Sequence, residues 1–306
     1  MDVVRLPIIC GPTAAGKSAL AMAVAEACGL GIVSADSRQV YRGFDIGTAK
    51  PSLDERSRVP HAGIDVADPT ERYSAATWML SVDAWSRALA DRGCAPLVVG
   101  GTGLYLRTLT NPLFDEPALD PEARRALDLE LQSLPLDALR QRCLALDPAR
   151  AHLGRTQLLR AIEVATLTGT PISALHRAHA REARHDVRFL LVDPGPERLR
   201  ERIVQRVDAM LAAGWVDEVQ RLMQAVPHDA PAWNATGYDA IRQVVAGTLS
   251  LARAREQVII ATRQYAKRQR TWFRHQLPPA HVVHVNAADP SALDRALAWC
   301  RQEVPR

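Results

Sequence analysis

Between an apolar run and a helix-forming stretch lies the octet Gly11-Pro12-Thr13-Ala14-Ala15-Gly16-Lys17-Ser18, which meets the pattern GxxxxGK[ST] at every fixed position. Each fixed residue has a chemical reason. Glycines let the backbone turn until its N–H groups face an anion, and the helix that follows adds its N-terminal dipole. Lys17 brings a point charge to phosphate oxygens, and Ser18 brings a hydroxyl for Mg²⁺. Lysine occurs in this chain only at Lys17, Lys50 and Lys267, so its presence at the motif position is harder to ascribe to chance. An accidental octet of this kind arises in roughly a few per cent of chains this long, and the strand-turn-helix context reduces that further.

A P-loop by itself suggests a nucleotide kinase or an NTPase. The apolar run Pro96–Gly100, however, leads into Gly100-Gly101-Thr102-Gly103, where an NTPase would usually place its Walker-B Asp. The nearest acidic candidate is Asp36, which could hold the metal or take a proton. Thr102 could cap a helix starting near Leu104 or touch substrate. Further on, Lys267, Arg268, Arg270 and Arg274 share a helical stretch with Gln269, Thr271, Trp272 and Phe273. Cations interleaved with aromatics suit phosphate contacts plus base stacking. The same pattern fits a solvated helix with Trp272 and Phe273 in the core.

The elements that must position these residues follow from periodicity. Leu6–Cys10 reads as a first strand and Lys17 to about Cys28 as a helix. Ile32–Ala35 is a second short strand ending at Asp36, Ala75–Arg92 is helical, and Pro96–Gly100 is a buried strand. Strands alternating with helices predict a parallel sheet covered on both faces. From 115 to 188 the chain is rich in Ala, Leu and Arg at helical spacing, which predicts a helical insertion in a core made of 1–114 and 189–306. A strand returns at Phe189–Asp193, long helices run to about His275, and a strand at Val282–Val285 precedes a closing helix from Ser291. The fold class is α/β, a P-loop NTPase-like parallel sheet with a mainly helical insertion.

Composition excludes several classes. The formal charge is +4 over 306 residues, too mild to identify a partner. Cys10, Cys28, Cys94, Cys143 and Cys300 are scattered, with no CxxC pair, which argues against a disulfide framework or a zinc knuckle. No apolar run reaches membrane-spanning length and no signal peptide is evident, so the expected location is the cytoplasm.

Read together, the motifs resemble the tRNA dimethylallyltransferase (tRNA isopentenyltransferase) family, of the bacterial type. The resemblance spans nearly the whole chain: GPTAAGKS at 11–18, SADSRQVYRGFDIGTAKP at 34–51, YSAATW at 73–78 and VVGGTGLYLR at 98–107. Beyond these stand RAIEVATLTGTPIS at 160–173, RIVQRVDAMLAAGWVDEV at 202–219 and ATRQYAKRQRTWFR at 261–274. It implies transfer of a dimethylallyl group from dimethylallyl diphosphate to the exocyclic N6 amine of the adenosine 3′ of the tRNA anticodon, with Mg²⁺ as cofactor. The P-loop would then hold a prenyl diphosphate instead of a nucleotide. Asp36 resembles the general base, and Thr102 the position contacting the same nucleotide. Ser37, Arg38 and Gln39, with Asp36, would read the flipped base, and the insertion would embrace the anticodon stem. Thr156, Gln157, Leu158, Leu159 and Arg160 match an RNA-contact block, and Lys267–Arg274 another. Arg202 or Arg206, four apart on one helix face, could clamp the diphosphate or form surface ion pairs with Glu201 or Asp208. The chain departs from the pattern at Pro60–Asp65, at His152-Leu153-Gly154 and around Asn234, which puts RNA contacts near 152–156 and 233–238 in question. A monomer is expected. A small-molecule kinase and an RNA-binding relative without catalysis are the rival readings.

Overall fold

The apolar run ahead of the octet forms strand β1 (Val4–Cys10) in the computed structural model, which describes residues 4–111, 119–178 and 185–304. The P-loop follows, then α1 (Lys17–Cys28), whose far end is closed by Gly29 in the left-handed conformation donating to the Ala25 carbonyl. After β2 (Leu30–Ala35) come α2 (Leu53–Arg58), the two-residue strand β3 (His61–Ala62), α3 (Ala75–Ala90), β4 (Ala95–Gly100) and α4 (Gly103–Thr110). Helices α5 (Pro121–Gln132), α6 (Leu136–Leu146), α7 (Arg155–Thr168) and α8 (Ile172–Ala178) follow, with no strand among the described residues there. The chain then runs through β5 (His185–Val192), α9 (Pro196–Ala212), α10 (Trp215–Ala225), α11 (Tyr238–Val245), α12 (Leu251–Gln276), β6 (Val282–Val285) and α13 (Ala292–Glu303).

All six strands are parallel, in the order β3-β2-β4-β1-β5-β6. The chain leaves β1 for β2 on one side and later returns to β5 on the other. The carboxyl ends of the strands around β1 therefore frame the crevice where open α/β sheets bind ligands. Helices cover the sheet, so its strands are apolar without alternation: every residue of β2 is buried, as are Ile8, Ile9 and Cys10 in β1. Pro7 is tolerated inside β1 because pairing with β4 begins only at Ile8; at Pro7 the strand has β5 as its one neighbour.

The chain divides into two compact units, Met1–Thr110 with Ala183–Arg306, and Asn111–Glu182. The α/β class holds in the first unit. The second contains α5 to α8 around a core of Leu127, Leu131, Leu139, Leu158, Ile162 and Ile172. Stretches 115–118 and 179–184 of the expected insertion lie outside the described residues. The last core strand before α9 begins at His185, four residues ahead of the apolar run FLLVD. Its polar start, His185 and Asp186, pairs with Val4 and Arg5 of β1, where hydrophobicity gives no signal. Strand β3 and helix α2 were likewise invisible to periodicity. The first is two residues long, and the second is a capping-box turn with no buried side chain.

Candidate active site

The P-loop turns because Ala15 N–H bonds back to the Pro12 carbonyl (3.2 Å) and Gly16 adopts φ +92°. A Cβ at Gly16 would also lie 2.7 Å from a guanidinium nitrogen of Arg202, so only glycine fits. That guanidinium donates to the Ala15 carbonyl at 2.9 Å. Arg202, one of two candidates for a diphosphate clamp, thus braces the loop from α9. Arg206, one turn on, lines the same cavity as Lys17, Ser18 and Asp36 and donates weakly to the Thr48 carbonyl (3.5 Å). Burial lowers the Arg206 pKa, and the charge of Asp36 works against that shift. Neither arginine forms the surface ion pair with Glu201 or Asp208 that was its alternative: Glu201 meets Arg198, and Asp208 meets Arg255.

Lys17 opens α1 with Nζ 3.5 Å from the Pro12 carbonyl. Loss of water, opposed by the charge of Asp36 and by Cys10 and aided by the nearby Arg206, lowers its pKa to about 8. A half-buried amine stripped of part of its water gains from an incoming anion. Behind it, burial drives the Cys10 thiol well above its ordinary value, so Cys10 is an inert packing residue.

Asp36 stands at the carboxyl end of β2. Its Oδ1 accepts the Arg38 N–H at 2.8 Å, closing a tight side-chain turn. The segment is held against the neighbouring strand end by Thr102, whose N–H donates to the Ala35 carbonyl (3.1 Å) and whose Oγ1 accepts the Ser37 N–H (3.0 Å). Thr102 therefore does not cap its own helix with its side chain; it rivets the Asp36 loop to the β4 loop. Its carbonyl accepts from Tyr105 and Leu106 to start α4. Gln39 anchors the same loop from below. It shares a hydrogen bond with Ser34 Oγ (3.1 Å), and its amide donates to the carbonyls of Thr48 and Ala49.

Helix α12 carries a stripe of buried residues, Ala254, Val258, Thr262, Ala266, Gln269 and Phe273, at helical spacing. Gln269 is 8% exposed and uses both ends of its amide: Oε1 accepts the P-loop Thr13 N–H at 2.8 Å, and Nε2 donates to the Gly101 carbonyl at 2.8 Å. One side chain thus ties the phosphate loop to the glycine-rich end of β4. Trp272 lies against the same segment, where a Cβ on Gly103 would come within 2.4 Å of the indole. These contacts explain why glycines occupy the place of a Walker-B acid. The run 267–274 is accordingly not one continuous RNA face. Gln269 and Phe273 point inward, Arg270 pairs with Asp193 at 2.8 Å, and Lys267, Arg268, Thr271 and Arg274 are exposed.

In the second unit, Thr156 and Gln157 are exposed on the first turn of α7, where the Gln157 side chain accepts the Gly154 N–H. Leu158 is buried in that unit's core, Leu159 is half-buried, and Arg160 pairs with Glu163. Of this block, Leu158 has no surface to offer a partner.

Sequence reasoning missed two supports. Glu218 reads as a surface position of an amphipathic helix, yet it is 3% exposed. Its carboxylate accepts the N–H groups of Asp45 (3.0 Å), Ile46 (2.6 Å) and Gly47 (3.4 Å) and the Tyr238 hydroxyl (2.7 Å). Burial and the Glu218 charge drive the Tyr238 pKa far up, keeping it a donor. Lys50, with its side chain 1% exposed, bridges Asp45 and Asp65 and donates to the Tyr41 carbonyl. The pair of a glutamate and a lysine inside the conspicuous blocks 34–51 and 202–219 was the available signal.

A cavity of about 70 Å³ thus joins Thr13, Lys17, Ser18 and Arg206 on one side to Asp36 and Gln39 on the other. Chemically it can hold a small polyanion beside the Asp36 carboxylate. Among the described residues no cluster of three His, Cys, Asp or Glu side chains offers a ready-made metal cage. A hard cation that takes its oxygens mainly from phosphate and water, as Mg²⁺ does, fits a site to which the P-loop brings the Ser18 hydroxyl.

Comparison with known proteins finds relatives along nearly the whole chain. The model of the IPP transferase family matches residues 39–276, and that of isopentenyl transferase residues 4–59. The tRNA dimethylallyltransferase of Geobacter metallireducens is 46% identical over 280 residues, covering 88% of this chain and 89% of its own. That of Gloeobacter violaceus is 43% identical over 287 residues, covering 92% and 93%. Among solved structures, the tRNA isopentenylpyrophosphate transferase of Bacillus halodurans matches with TM-score 0.67 at 30% identity, over 98% of this chain and 96% of its own. A eukaryotic dimethylallyltransferase seen acting on tRNA matches with TM-score 0.79 at 27% identity, over 97% of this chain and 77% of its own. With a family model running from Gln39 to Gln276 and relatives alike along nearly the whole length, the chain belongs to the IPP transferase family.

Proposed function

We propose that the chain transfers a dimethylallyl group from dimethylallyl diphosphate to the N6 amine of the adenosine 3′ of a tRNA anticodon. The observation that carries this reading is the cavity in which Lys17 of the P-loop and Arg206 of α9 stand beside Asp36. An exocyclic amine is a weak nucleophile, so the donor must be strongly activated. As the bond from C1 to the diphosphate oxygen breaks, its electron pair leaves with the pyrophosphate, and the amine lone pair forms the new C1–N6 bond. Lys17, Arg206 and the P-loop amides neutralise the charge that gathers on the leaving group. Asp36 takes the N6 proton, held in place by Thr102 and by its bond to the Arg38 N–H. Ser18 would hold Mg²⁺, which when bound would supply further neutralisation of charge on the leaving group. Arg202 and Gln269 keep the cradle in shape through the Ala15 carbonyl and the Thr13 amide. Ser37 and Arg38 border the entrance for the flipped base, and Lys267, Arg268 and Arg274 supply exposed cations for RNA phosphates.

The test is a single-turnover reaction of the purified chain with unmodified tRNA, Mg²⁺ and labelled dimethylallyl diphosphate, beside a control with ATP alone. Label on the adenosine next to the anticodon, with no ATP consumed, is the expected result. ATP turnover without label transfer would replace the reading with that of a kinase. Tight tRNA binding without label transfer would replace it with that of a non-catalytic RNA-binding protein.

A further inference from the structure

The cavity does not end at the phosphate cradle. Residues of one strand face alternate sides, so Ser34 and Ile32 of β2, behind Asp36 at its carboxyl end, line one wall in steps running away from the carboxylate. Successive turns of α1 line the facing wall, with Ala21 one turn beyond Lys17 and Met22 one turn beyond Ser18. The character changes along this path. Thr13, Lys17 and Ser18 are polar, whereas Ala21, Met22, Ile32, Val99 and Ile64 are apolar. His61 completes this end. Burial lowers its pKa, and Nδ1 meets the Val59 carbonyl at 2.7 Å, so it presents a neutral ring.

We infer that this apolar end is the seat of the donor's hydrocarbon tail and that Met22 closes it, limiting the donor to a branched five-carbon allyl diphosphate. The inference rests on the transfer reaction proposed above and adds a determinant of donor length to it. The walls have little freedom to yield. Ala21, Met22, Ile32 and Val99 are all at most 8% exposed, and Ile32 and Val99 belong to strands paired residue by residue, Ile32 with Leu97 and Ser34 with Val99. A second isoprene unit would have to displace these packed side chains or part the paired strands. Met22 is the side chain whose truncation lengthens the slot without disturbing the strands, because it projects from α1. Chemistry at the other end is unchanged: the C1–oxygen bond breaks with its electron pair on pyrophosphate, C1–N6 forms, and the proton passes to Asp36.

The experiment offers dimethylallyl diphosphate and geranyl diphosphate separately to the wild type, Met22→Ala and the volume-conserving Met22→Leu, in single turnover on tRNA. Ile64→Ala, at a half-buried position of the same end, serves if Met22→Ala does not fold. The wild type should prefer the five-carbon donor by about 10²-fold or more, Met22→Leu should keep that preference, and the truncated variant should narrow it by about tenfold. A folded truncation variant that still transfers the five-carbon group and discriminates as the wild type does would overturn the inference. Absence of five-carbon transfer by the wild type itself would overturn the parent reading, a different and separately visible outcome.

Discussion

Asp36 and Lys17 act on opposite ends of one transfer, and their surroundings separate their roles. Asp36 is held by backbone and hydroxyl contacts that orient it. Replacing it with Ala should cut single-turnover transfer by about 10²–10⁴-fold, the usual contribution of a general base. tRNA affinity, measured by filter binding, should stay nearly unchanged; a collapse of binding with turnover of the bound tRNA preserved would reassign Asp36 to recognition. Lys17 makes a pH prediction. Its pKa of about 8 in the ligand-free protein lies below the ordinary lysine value of 10.5, and a bound anion favours the charged form. Below about pH 8 the ammonium is already present; above it, binding must also take up a proton, so pyrophosphate affinity should fall as pH rises past 8. Titration calorimetry of the wild type against Lys17→Arg removes the ligand's own ionisation, because arginine stays charged throughout. Parallel pH profiles for the two proteins would refute the depressed pKa.

At the scale of the element, helix α12 serves two tasks on two faces. Its buried face carries Gln269 to the P-loop, and its exposed face carries Lys267 and Arg268. Replacing those two cations with Ala should weaken tRNA binding and lower the slope of log K against log salt by up to about 2, while pyrophosphate affinity is kept. An unchanged slope would remove this face from the RNA surface. Arg270 was grouped with these cations in the sequence, but its pairing with Asp193 assigns it to the structure around β5. That contrast shows what was legible. The P-loop, the short apolar strands and the helical middle segment follow from local pattern, because turn chemistry and periodicity are local properties. Glu218 and Gln269 were not legible as supports. Their partners lie 172 and 256 residues away for the Ile46 and Thr13 amides, and a polar residue on a helix gives no sign of which backbone groups the fold will bring to it. The polar start of β5 failed for a related reason: pairing with β1 determines it, not its own hydrophobicity.

At the scale of the whole molecule, the two units have separate cores. A ligand that binds only the native P-loop stabilises the unit containing it, by about 2.7 kcal/mol at a hundredfold excess over Kd. Added pyrophosphate should therefore slow amide hydrogen exchange in 4–110 and 185–304 and leave 119–178 near its free rate. Equal protection throughout would mean that the two units unfold as one. The scarcity of lysine has a consequence of another kind. Only three primary side-chain amines exist in 306 residues. Lys50 is sealed by two carboxylates, Lys267 is an exposed surface residue, and Lys17 is half-buried with its proton loosely held. Near pH 8 an amine-selective acylating reagent meets a substantial fraction of free amine at Lys17. The chain therefore has a built-in chemical reporter: the mass of one tryptic peptide registers whether the phosphate cradle is empty or filled.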